Sequence, residues 1–406
     1  MNAPAAADVD SLDLADPMLH ANYNLADVWR HLRDEKPVHW NACADGPVPG
    51  FWVITRYADV VAAYRNVRGF SSQQGNLLTS LLQGGDTASG QMLPVTDGRR
   101  HSAIRSLLAP SLGPRTLDRL GTTVAATTHD LLTAAISRGE FDFARDVAAH
   151  IPLMTICDLI GVPDSDRAFI KQQAAMALGS DEPEQSMMES WLARNEILLY
   201  FRELSRTRRA APQDDLISVL ATGLVDGAEI GEDEIILNCY SLILGGDETT
   251  RLSMGGAVAA FAAAPDEWTR LRDGEVTVAT AVEEVLRWTA AAMHAGRTAT
   301  EDTVLHDVAI SAGDVVTMWN VAANRDEREF AEPDRFDLGR TANRHVTFGY
   351  GSHFCLGASL ARVEIAALLT TLRTLVCTIE LTGEPRRIFS NFLGGYSSVP
   401  VAFAGA

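Results

Sequence analysis

Residues 348–358 spell FGYGSHFCLGA, a glycine-rich loop that carries a cysteine and runs into an apolar helical pattern. Gly349 and Gly351 let the backbone turn tightly and approach a flat ligand closely. Cys355 stands just before the helix, where unpaired backbone N–H groups and the positive end of the helix dipole favour a thiolate over a thiol. On these grounds alone, the segment is a tight turn whose thiol is either activated or simply buried.

Apolar spacing along the rest of the chain predicts a mainly helical protein with minor β-sheets. Residues 232–264 and 356–375 show the repeat of long helices, and similar patterns fill the middle of the chain. Short runs rich in β-type residues lie at 51–55, 303–310 and 315–319. Because strands and helices do not alternate regularly, the pattern argues against a Rossmann or barrel fold.

The organisation of the chain favours one large domain. No linker, repeat or low-complexity block divides the 406 residues, so we expect a domain at residues 17–406 after a flexible arm at residues 1–16. The net charge of -19 argues against nucleic acid or an anionic membrane as the main partner. The sequence has no basic leader with an apolar core and no run of about 18 apolar residues, so we expect a cytoplasmic protein.

The five cysteines are scattered and include no CxxC pair, which argues against a disulfide framework and against a zinc site. Four of them, namely Cys43, Cys157, Cys239 and Cys377, are expected to be small apolar side chains in the interior. Cys355 stands apart because of the loop in which it lies.

The whole pattern of Phe, Gly, Gly, His, Cys and Gly at these offsets resembles the haem-binding loop of the cytochrome P450 family. Three further segments resemble that family in the same order, so the resemblance extends from about residue 25 to the end of the chain. It implies a P450-like fold in which haem b lies between a long central helix and the cysteine loop, with Cys355 as the ligand of the iron. The loop residues that it implies around the cofactor are Phe348, Gly349, His353, Cys355 and Gly357.

Glu284 and Arg287 match the family's ExxR pair and lie three residues apart, on one face of a predicted helix. By itself such a pair is usually a solvated surface ion pair worth less than about 1 kcal/mol. Downstream, the segment PDRF at residues 333–336 resembles the part of the family that supplies a third charge. The resemblance therefore implies a buried network of Glu284, Arg287 and Arg335 that supports the cysteine loop.

Residues 244–250 read LGGDETT in the middle of the long apolar pattern. Glycines and an acid beside an alcohol are poor helix formers, so a kink or packing notch is one interpretation. The segment also resembles the family's oxygen-activation motif, although Gly245 stands where the family usually has Ala. The resemblance implies that Thr249 holds bound oxygen and ordered water while Glu248 helps to deliver protons. Asp247 is an extra acid to which the pattern assigns no role.

His101 and Arg105 lie one turn apart and could hold two carboxylates from one helix face. An ordinary basic helix surface would show the same spacing. The resemblance implies that both contact the haem propionates, together with Arg297 and His353.

For the substrate, the resemblance indicates a mostly apolar pocket with His294 as a possible polar anchor, although core packing would explain any single member of the set. A bulky secondary-metabolite intermediate, free or tethered to a carrier protein, is the expected substrate class. The pocket residues expected by analogy are Leu82, Met92, Leu242, Gly245, Ala291, Met293, His294 and Phe392.

The chemistry implied is hydroxylation of an unactivated C–H bond, because a thiolate ligand favours cleavage of the O–O bond. No flavin or nicotinamide motif is visible, so we expect a monomer that receives electrons from a ferredoxin and its reductase. Arginines near the cysteine loop could form a basic patch that steers an acidic ferredoxin, or they could be scattered and solvated. The arginines expected near the thiolate side are Arg99, Arg100, Arg115, Arg340, Arg344 and Arg362.

Three other functions stay open at this point. A haem-thiolate enzyme could instead catalyse epoxidation, desaturation or oxidative C–C or phenol coupling. A non-catalytic haem protein could sense or carry a ligand, although the presence of Glu248 and Thr249 speaks against it. A third possibility is a redox thiol at Cys355 without haem.

Overall fold

The computed structural model describes residues 6–43, 46–178 and 187–405. Helices dominate the described chain, as the apolar spacing predicts. In chain order they are α1 Pro17–Asn22, α2 Ala26–Glu35, α3 Tyr57–Arg65, α4 Leu78–Leu82, α5 Gly98–Leu108, α6 Pro114–Ile136, α7 Ile151–Ile160, α8 Arg167–Leu178, α9 Met187–Ala210, α10 Leu216–Thr222, α11 Glu232–Ala263, α12 Pro265–Arg272, α13 Val278–Thr289, α14 Asn320–Ala323 and α15 Ala358–Leu375.

Short strands form the minor sheets. In chain order they are β1 Val38–Ala42, β2 Gly50–Ile54, β3 Phe70–Ser71, β4 Glu140–Asp142, β5 Leu224–Val225, β6 Ala228–Glu229, β7 His294–Ala299, β8 Thr303–Leu305, β9 Val308–Ile310, β10 Val315–Trp319, β11 Val376–Leu381, β12 Arg386–Arg387, β13 Tyr396–Ser398 and β14 Pro400–Gly405. The largest sheet has the strand order β1-β2-β10-β7-β3, and β11-β14-β4 form a second sheet.

The five-stranded sheet is antiparallel except where β10 runs parallel to β2, with Val315 opposite Phe51. β10 also pairs antiparallel with β7, and this register sets Arg297 opposite Val316. The sheet therefore fixes the position of Arg297, whose side chain reaches the interior of the protein.

The central helix α11 spans 32 residues, roughly 48 Å at the usual helical rise. Three acids in its first turn complement the positive end of the helix dipole. Its second half, through Met254 and Phe261, is buried against α13 and α15, where Leu286 and Leu368 complete the apolar cluster. Burial of this kind supplies most of the free energy that holds helices together.

Capping residues set the bounds of the helix that carries the ExxR pair. The Thr277 side chain accepts a hydrogen bond from the Thr280 amide at the start of α13. The helix ends at Ala290, which adopts a left-handed conformation with φ of 41°. α15 begins directly after Gly357, two residues beyond Cys355.

The structure describes residues 6–16 of the segment for which a flexible arm is expected. A 3-10 helix spans Ala6–Ser11, and Val9 and Leu14 are buried in an apolar cluster with Trp29. The Asn41 side chain accepts a hydrogen bond from the Leu14 amide at 2.8 Å. These apolar side chains gain more by packing than by solvation, so residues 6–16 belong to the same packed body, and residues 1–5 lie outside the described part. In the described ranges, no helix is both long and apolar enough to cross a bilayer.

Candidate active site

The cysteine loop turns at Gly349 and Gly351, which adopt the left-handed backbone conformation with φ of 67° and 72°. Glycine adopts this conformation without steric cost. A Cβ atom on Gly351 would lie 2.9 Å from the Tyr64 carbonyl oxygen of α3, so the loop packs too closely there for any side chain. The Cys355 amide donates a hydrogen bond to the Phe348 carbonyl at 2.9 Å, which closes the loop. The loop thus presents Cys355 at a fixed place before α15.

The Cys355 side chain opens into an internal cavity of about 310 Å³. Burial raises the pKa of the Cys355 thiol, while the Gly357 amide and the guanidinium groups of Arg105 and Arg362 lower it. A bound metal ion would take over the role of these positive groups, because a coordinating thiol is deprotonated outright. Cys355 is therefore placed to bind a metal ion through its sulfur.

The opposite wall of the cavity is formed by α11 at Gly245, Gly246 and Thr249. A Cβ atom on Gly246 would lie 2.9 Å from Ile156 Cγ1, whereas one on Gly245 would meet nothing within 4 Å beyond its own helix. The Thr249 hydroxyl donates a hydrogen bond to the Gly245 carbonyl at 2.9 Å. The helix is continuous through the segment. Gly246 lets Ile156 of α7 pack closely, and the missing side chain of Gly245 leaves a groove on the cavity wall.

The Glu248 side chain is paired with Arg251 and does not line the cavity, where a role in proton delivery would require it. Its carboxylate accepts a hydrogen bond from Arg251 Nη2 at 2.5 Å, and both side chains are buried. Glu248 is not among the residues that line the cavity, whereas Thr249 is. A role of Glu248 in proton delivery therefore stays a prediction and would require the pair with Arg251 to open.

Four basic side chains lie together at one end of the cavity, as predicted for His101, Arg105, Arg297 and His353. The rings of His101 and His353 are 4.2 Å apart between centroids. Burial, together with the nearby His353 and Arg105, lowers the pKa of His101 to about 4. His353 is held by Asp97, whose carboxylate lies 2.9 Å from Nε2.

Two of these groups lack the partners that buried polar groups normally have. The buried Nε2 atom of His101 has no hydrogen-bond partner among the described residues. The Arg297 guanidinium is buried, donates to the Gly296 carbonyl at 2.7 Å, and forms no ion pair with a described carboxylate. Burial lowers the pKa of Arg297, which marks an uncompensated charge. The site therefore fits a ligand that carries carboxylates at this end.

Haem fits this donor set. Its iron would be bound by Cys355, and its two propionates would be held by His101, Arg105, Arg297 and His353. Phe348, Gly349 and Gly357 also line the cavity, and the Arg362 guanidinium lies 4.8 Å from the centre of the Phe348 ring.

The ExxR pair is fully buried, and Arg287 holds both oxygens of Glu284 at 2.8 Å. The prediction that Arg335 supplies the third charge is wrong. Arg335 is 57% exposed and pairs at the surface with Glu332, so its carbonyl oxygen alone joins the network. The third charge is Arg340, whose Nε atom donates to Glu284 Oε2 at 3.1 Å.

Arg340 takes the place expected for Arg335 because the chain turns back on itself at residues 331–340. The Arg340 guanidinium folds back and also donates to the carbonyl oxygens of Ala331, Glu332 and Arg335. The side-chain amide of Asn343 completes the network, because its Nδ2 atom donates a 3.0 Å hydrogen bond to Glu284 Oε2. The network ties the segment before the cysteine loop to α13.

The predicted substrate residues separate into two groups. Leu242, Gly245, Ala291, His294 and Phe392 line the cavity, as expected. Leu82, Met92 and Met293, which were also expected in the pocket, do not line this cavity. Met293 and Leu82 pack in the apolar cluster around Trp29, and Met92 lies off the cavity wall just before a short 3-10 helix.

A larger cleft has a volume of about 930 Å³, and Cys355 is not among the described residues that line it. Met293 and Leu252 line it, and so do charged side chains that pair with each other, such as Arg325 with Asp334 and Arg30 with Asp334. These charges compensate each other, whereas the smaller cavity holds Cys355 and the buried Arg297, so the smaller cavity is the candidate reactive site.

Sequence reasoning missed several groups of the site. Arg340 was expected at the surface, and Asn343 and Asp97 were not singled out at all. Thr250 and Glu364 also line the cavity: Thr250 ends the LGGDETT segment but was given no role, and Glu364 lies outside the highlighted motifs. Polar residues inside an apolar helical pattern are the signal that could have drawn attention to Glu364.

A loop cysteine on the wall of a cavity, opposite a helix with glycine notches and close to buried basic groups, is the arrangement of a haem-thiolate protein. The comparisons with known proteins agree. The sequence model of the family described as Cytochrome P450 matches residues 276–388. Cytochrome P450 NovI from Streptomyces niveus is 46% identical over 399 residues, which cover 98% of each chain.

Solved structures share the whole fold. The crystal structure of P450 OxyD, involved in the biosynthesis of vancomycin-type antibiotics, has a TM-score of 0.89 and 34% identity, and covers 98% of this chain and 100% of its own. P450BioI in complex with acyl carrier protein ligated to hexadec-9Z-enoic acid has a TM-score of 0.83 and 28% identity, and covers 94% of this chain and 98% of its own.

The chain belongs to the cytochrome P450 family. It is a monooxygenase with iron protoporphyrin IX as its cofactor, and like other members it needs a redox partner for electrons. The mainly helical P450 fold in a single domain, expected from the cysteine loop, is confirmed. The interpretation of Cys355 as a redox thiol without haem is thereby excluded.

Proposed function

We propose that this protein hydroxylates a mostly apolar intermediate of secondary metabolism, with dioxygen and electrons from a ferredoxin. The observation that carries the proposal is the cavity between Cys355 and the groove at Gly245, with Thr249 on its wall. Its relatives include NovI and a P450 that takes part in antibiotic biosynthesis, which supports secondary metabolism as the setting. The cytoplasm and a monomeric state are part of the same proposal.

Haem bound through the thiolate of Cys355 supplies O–O bond cleavage and oxygen insertion. The residues of this chain orient the substrate, exclude water and move protons. Ala291, Phe392 and Leu242 form an apolar wall for the substrate. The Thr249 hydroxyl must leave the Gly245 carbonyl to donate its hydrogen bond into the groove, a small rotation about one side-chain bond.

The electron donor is expected to approach the face of the cysteine loop. Five of the six arginines predicted to form a basic patch there are paired with carboxylates, as in Arg99 with Asp226 and Arg362 with Glu283. Phe354, next to Cys355, is exposed. We therefore propose that an apolar contact at Phe354 matters more for ferredoxin docking than a strong basic field.

A carrier-tethered substrate is the second candidate, and an exposed stripe on α9 favours it. Met188, Trp191, Leu192 and Leu199 recur at helical spacing, and each has at least half of its surface exposed. α9 packs on α11, which forms the cavity wall. P450BioI, a structural neighbour, has been seen in complex with acyl carrier protein. We propose that this stripe binds a carrier protein that delivers its acyl or aminoacyl group.

A titration of the purified ferric protein distinguishes the two candidates. Displacement of a water ligand by substrate shifts the spin state and therefore the Soret band. The probes are apolar small molecules, and the same acyl and aminoacyl groups as carrier-protein thioesters and as pantetheine thioesters. A shift with free molecules or pantetheine thioesters supports a free substrate, and a shift confined to the carrier-protein thioesters supports docking.

Variants of the stripe test the docking surface itself. Trp191→Ser should weaken binding of the loaded carrier at least tenfold, because exposed aromatic side chains carry much of the energy of such interfaces. Val304→Ser is the matched control, since Val304 is an apolar residue that is at least as exposed as Trp191 but lies on β8. Equal affinity for the wild type and Trp191→Ser would rule out this stripe as the docking surface. Absence of a Soret band would contradict the whole proposal.

A further inference from the structure

Arg194 on α9 is a cation that the described chain leaves without a counter-ion. The other arginines of α9 are each paired with a carboxylate or donate to a backbone carbonyl oxygen, namely Arg202, Arg206, Arg208 and Arg209. Arg194 forms neither an ion pair nor a hydrogen bond with a described residue, and its guanidinium lies 5.4 Å from the centre of the Tyr240 ring on α11. In a chain with a net charge of -19, a partly buried arginine without an acid indicates a place for an anion that comes from outside.

The hydroxyl of Tyr240 is a second unused donor at the same place. It makes no hydrogen bond with the part of the chain that the structure describes. Burial, together with the nearby Asp86, raises the pKa of Tyr240, although Arg194 acts in the opposite direction. The hydroxyl therefore keeps its proton and can donate it in a hydrogen bond. A guanidinium beside a hydroxyl suits the oxygens of a phosphate group, because hydrogen bonds to a charged acceptor are the strong ones.

This donor pair, Arg194 and Tyr240, lies between the exposed stripe of α9 and the cavity. Trp191 of the stripe precedes Arg194 by three residues, so the two side chains share one side of the helix. Leu242, two residues after Tyr240, lines the cavity. Gly245 lies five residues after Tyr240, roughly 8 Å along the axis of α11. A flexible arm that runs from the stripe to the groove at Gly245 therefore passes the donor pair.

The arm of a carrier protein has an anion at the required place. A carrier holds its acyl or aminoacyl group as a thioester of phosphopantetheine, whose phosphodiester joins the arm to the carrier at the opposite end. When the thioester lies in the cavity, the phosphodiester is therefore close to the docking surface. Its single negative charge matches one arginine, and the Tyr240 hydroxyl can donate to a second phosphate oxygen.

We propose that Arg194 and Tyr240 bind the phosphodiester of a phosphopantetheine arm and so hold the attached acyl group in the cavity. The inference rests on the proposed docking of a carrier protein on the α9 stripe, and it adds an anion site to that surface. Inorganic phosphate offers the same oxygens without the arm, so the experiment has to separate the two sources.

Isothermal titration calorimetry of the ferric holoenzyme with two matched probes tests the site. The probes are the octanoyl thioester of pantetheine and the octanoyl thioester of its methyl phosphodiester, which differ only in the phosphate. The wild type should bind the phosphodiester probe about tenfold more tightly, and added salt should reduce this gain.

Arg194→Gln should remove most of the gain and leave the affinity for the uncharged probe unchanged, whereas Tyr240→Phe should remove a smaller part of it. Arg206→Gln is the matched control, because Arg206 lies on the same helix, is 57% exposed and pairs with Glu232. It should keep the full gain. An unchanged Soret band and circular dichroism spectrum show that each variant is folded and loaded with haem.

Inorganic phosphate should displace the phosphodiester probe only in large excess, because it lacks the contacts of the arm. Competition at concentrations equal to that of the probe would make the pair a general anion site and overturn its assignment to a carrier arm. Equal affinity of the wild type for both probes, including no measurable binding of either, would overturn the proposal, and so would a gain that survives in Arg194→Gln. If Trp191→Ser binds the loaded carrier like the wild type while Arg194→Gln loses the gain, the proposed docking stripe is wrong and the anion site stands.

Discussion

Replacing Arg340 with glutamine should destabilise the protein, whereas the same replacement of Arg335 should change little. The Arg340 side chain is 9% exposed and donates four hydrogen bonds, one of them to the buried carboxylate of Glu284. Arg335 is 57% exposed and meets Glu332 at 3.4 Å on the surface. The two arginines thus make a matched pair five residues apart.

The expected magnitudes follow from burial. Removing one partner of a buried ion pair costs about 3–5 kcal/mol, whereas an exposed pair contributes about 1 kcal/mol or less. The entropy of unfolding is about 2.1 cal/mol/K per residue, which amounts to about 0.85 kcal/mol/K for a chain of this length. Arg340→Gln should therefore lower Tm on the order of 4–6 °C, and Arg335→Gln by about 1 °C or less. Arg287 and Asn343 still hold Glu284, which favours the lower end of the range for Arg340.

Thermal unfolding of the haem-loaded variants, followed by circular dichroism, measures these shifts. Transfer of haem to a scavenging apoprotein, followed in the Soret band, should also be faster for Arg340→Gln, because the network ties the segment before the cysteine loop to α13. Equal Tm shifts in the two variants, or a larger one in Arg335→Gln, would refute the reasoning.

Three further outcomes follow from the site. Gly246→Ala should abolish most turnover, because its Cβ would lie 2.9 Å from Ile156 Cγ1, whereas Gly245→Ala should keep wild-type activity in the same oxidation assay. Cys355→Ser should lose the Soret spectrum of the thiolate-bound ferrous carbonyl complex while its helical circular dichroism stays. In haem-free protein, the pKa of His101 near 4, below its ordinary 6.5, means that the unfolded state binds more protons between these values. The free energy of unfolding should fall as pH drops from about 6.5 to 4, and less steeply in His101→Gln, as urea titrations would measure.

The parts of the site that could be predicted are those built from neighbouring residues. The glycines, the helix start and Cys355 lie within one loop, so local backbone preferences are enough to place the thiol at the start of α15. Glu284 and Arg287 are three residues apart on α13, and helical geometry alone brings them together.

Contacts between residues far apart in the chain could not be predicted from spacing. The four basic groups at one end of the cavity come from α5, β7 and the cysteine loop, and the resemblance to a family predicted them where spacing could not. Spacing likewise could not separate Met293, which turns toward Trp29, from His294, which lines the cavity. Alternate strand residues point to opposite faces, but the packed neighbours determine which face meets the cavity.

The amino-acid sequence therefore determined the helical class, the cysteine loop and the helix that faces it, because these depend on contacts within about one turn of chain. Tertiary structure alone assigned Arg340 to the buried network in place of Arg335 and packed Val9 and Leu14 against Trp29. In each case the partner lies tens to hundreds of residues away. Its identity depends on how apolar surfaces and uncompensated charges are buried together, and that is a property of the whole fold.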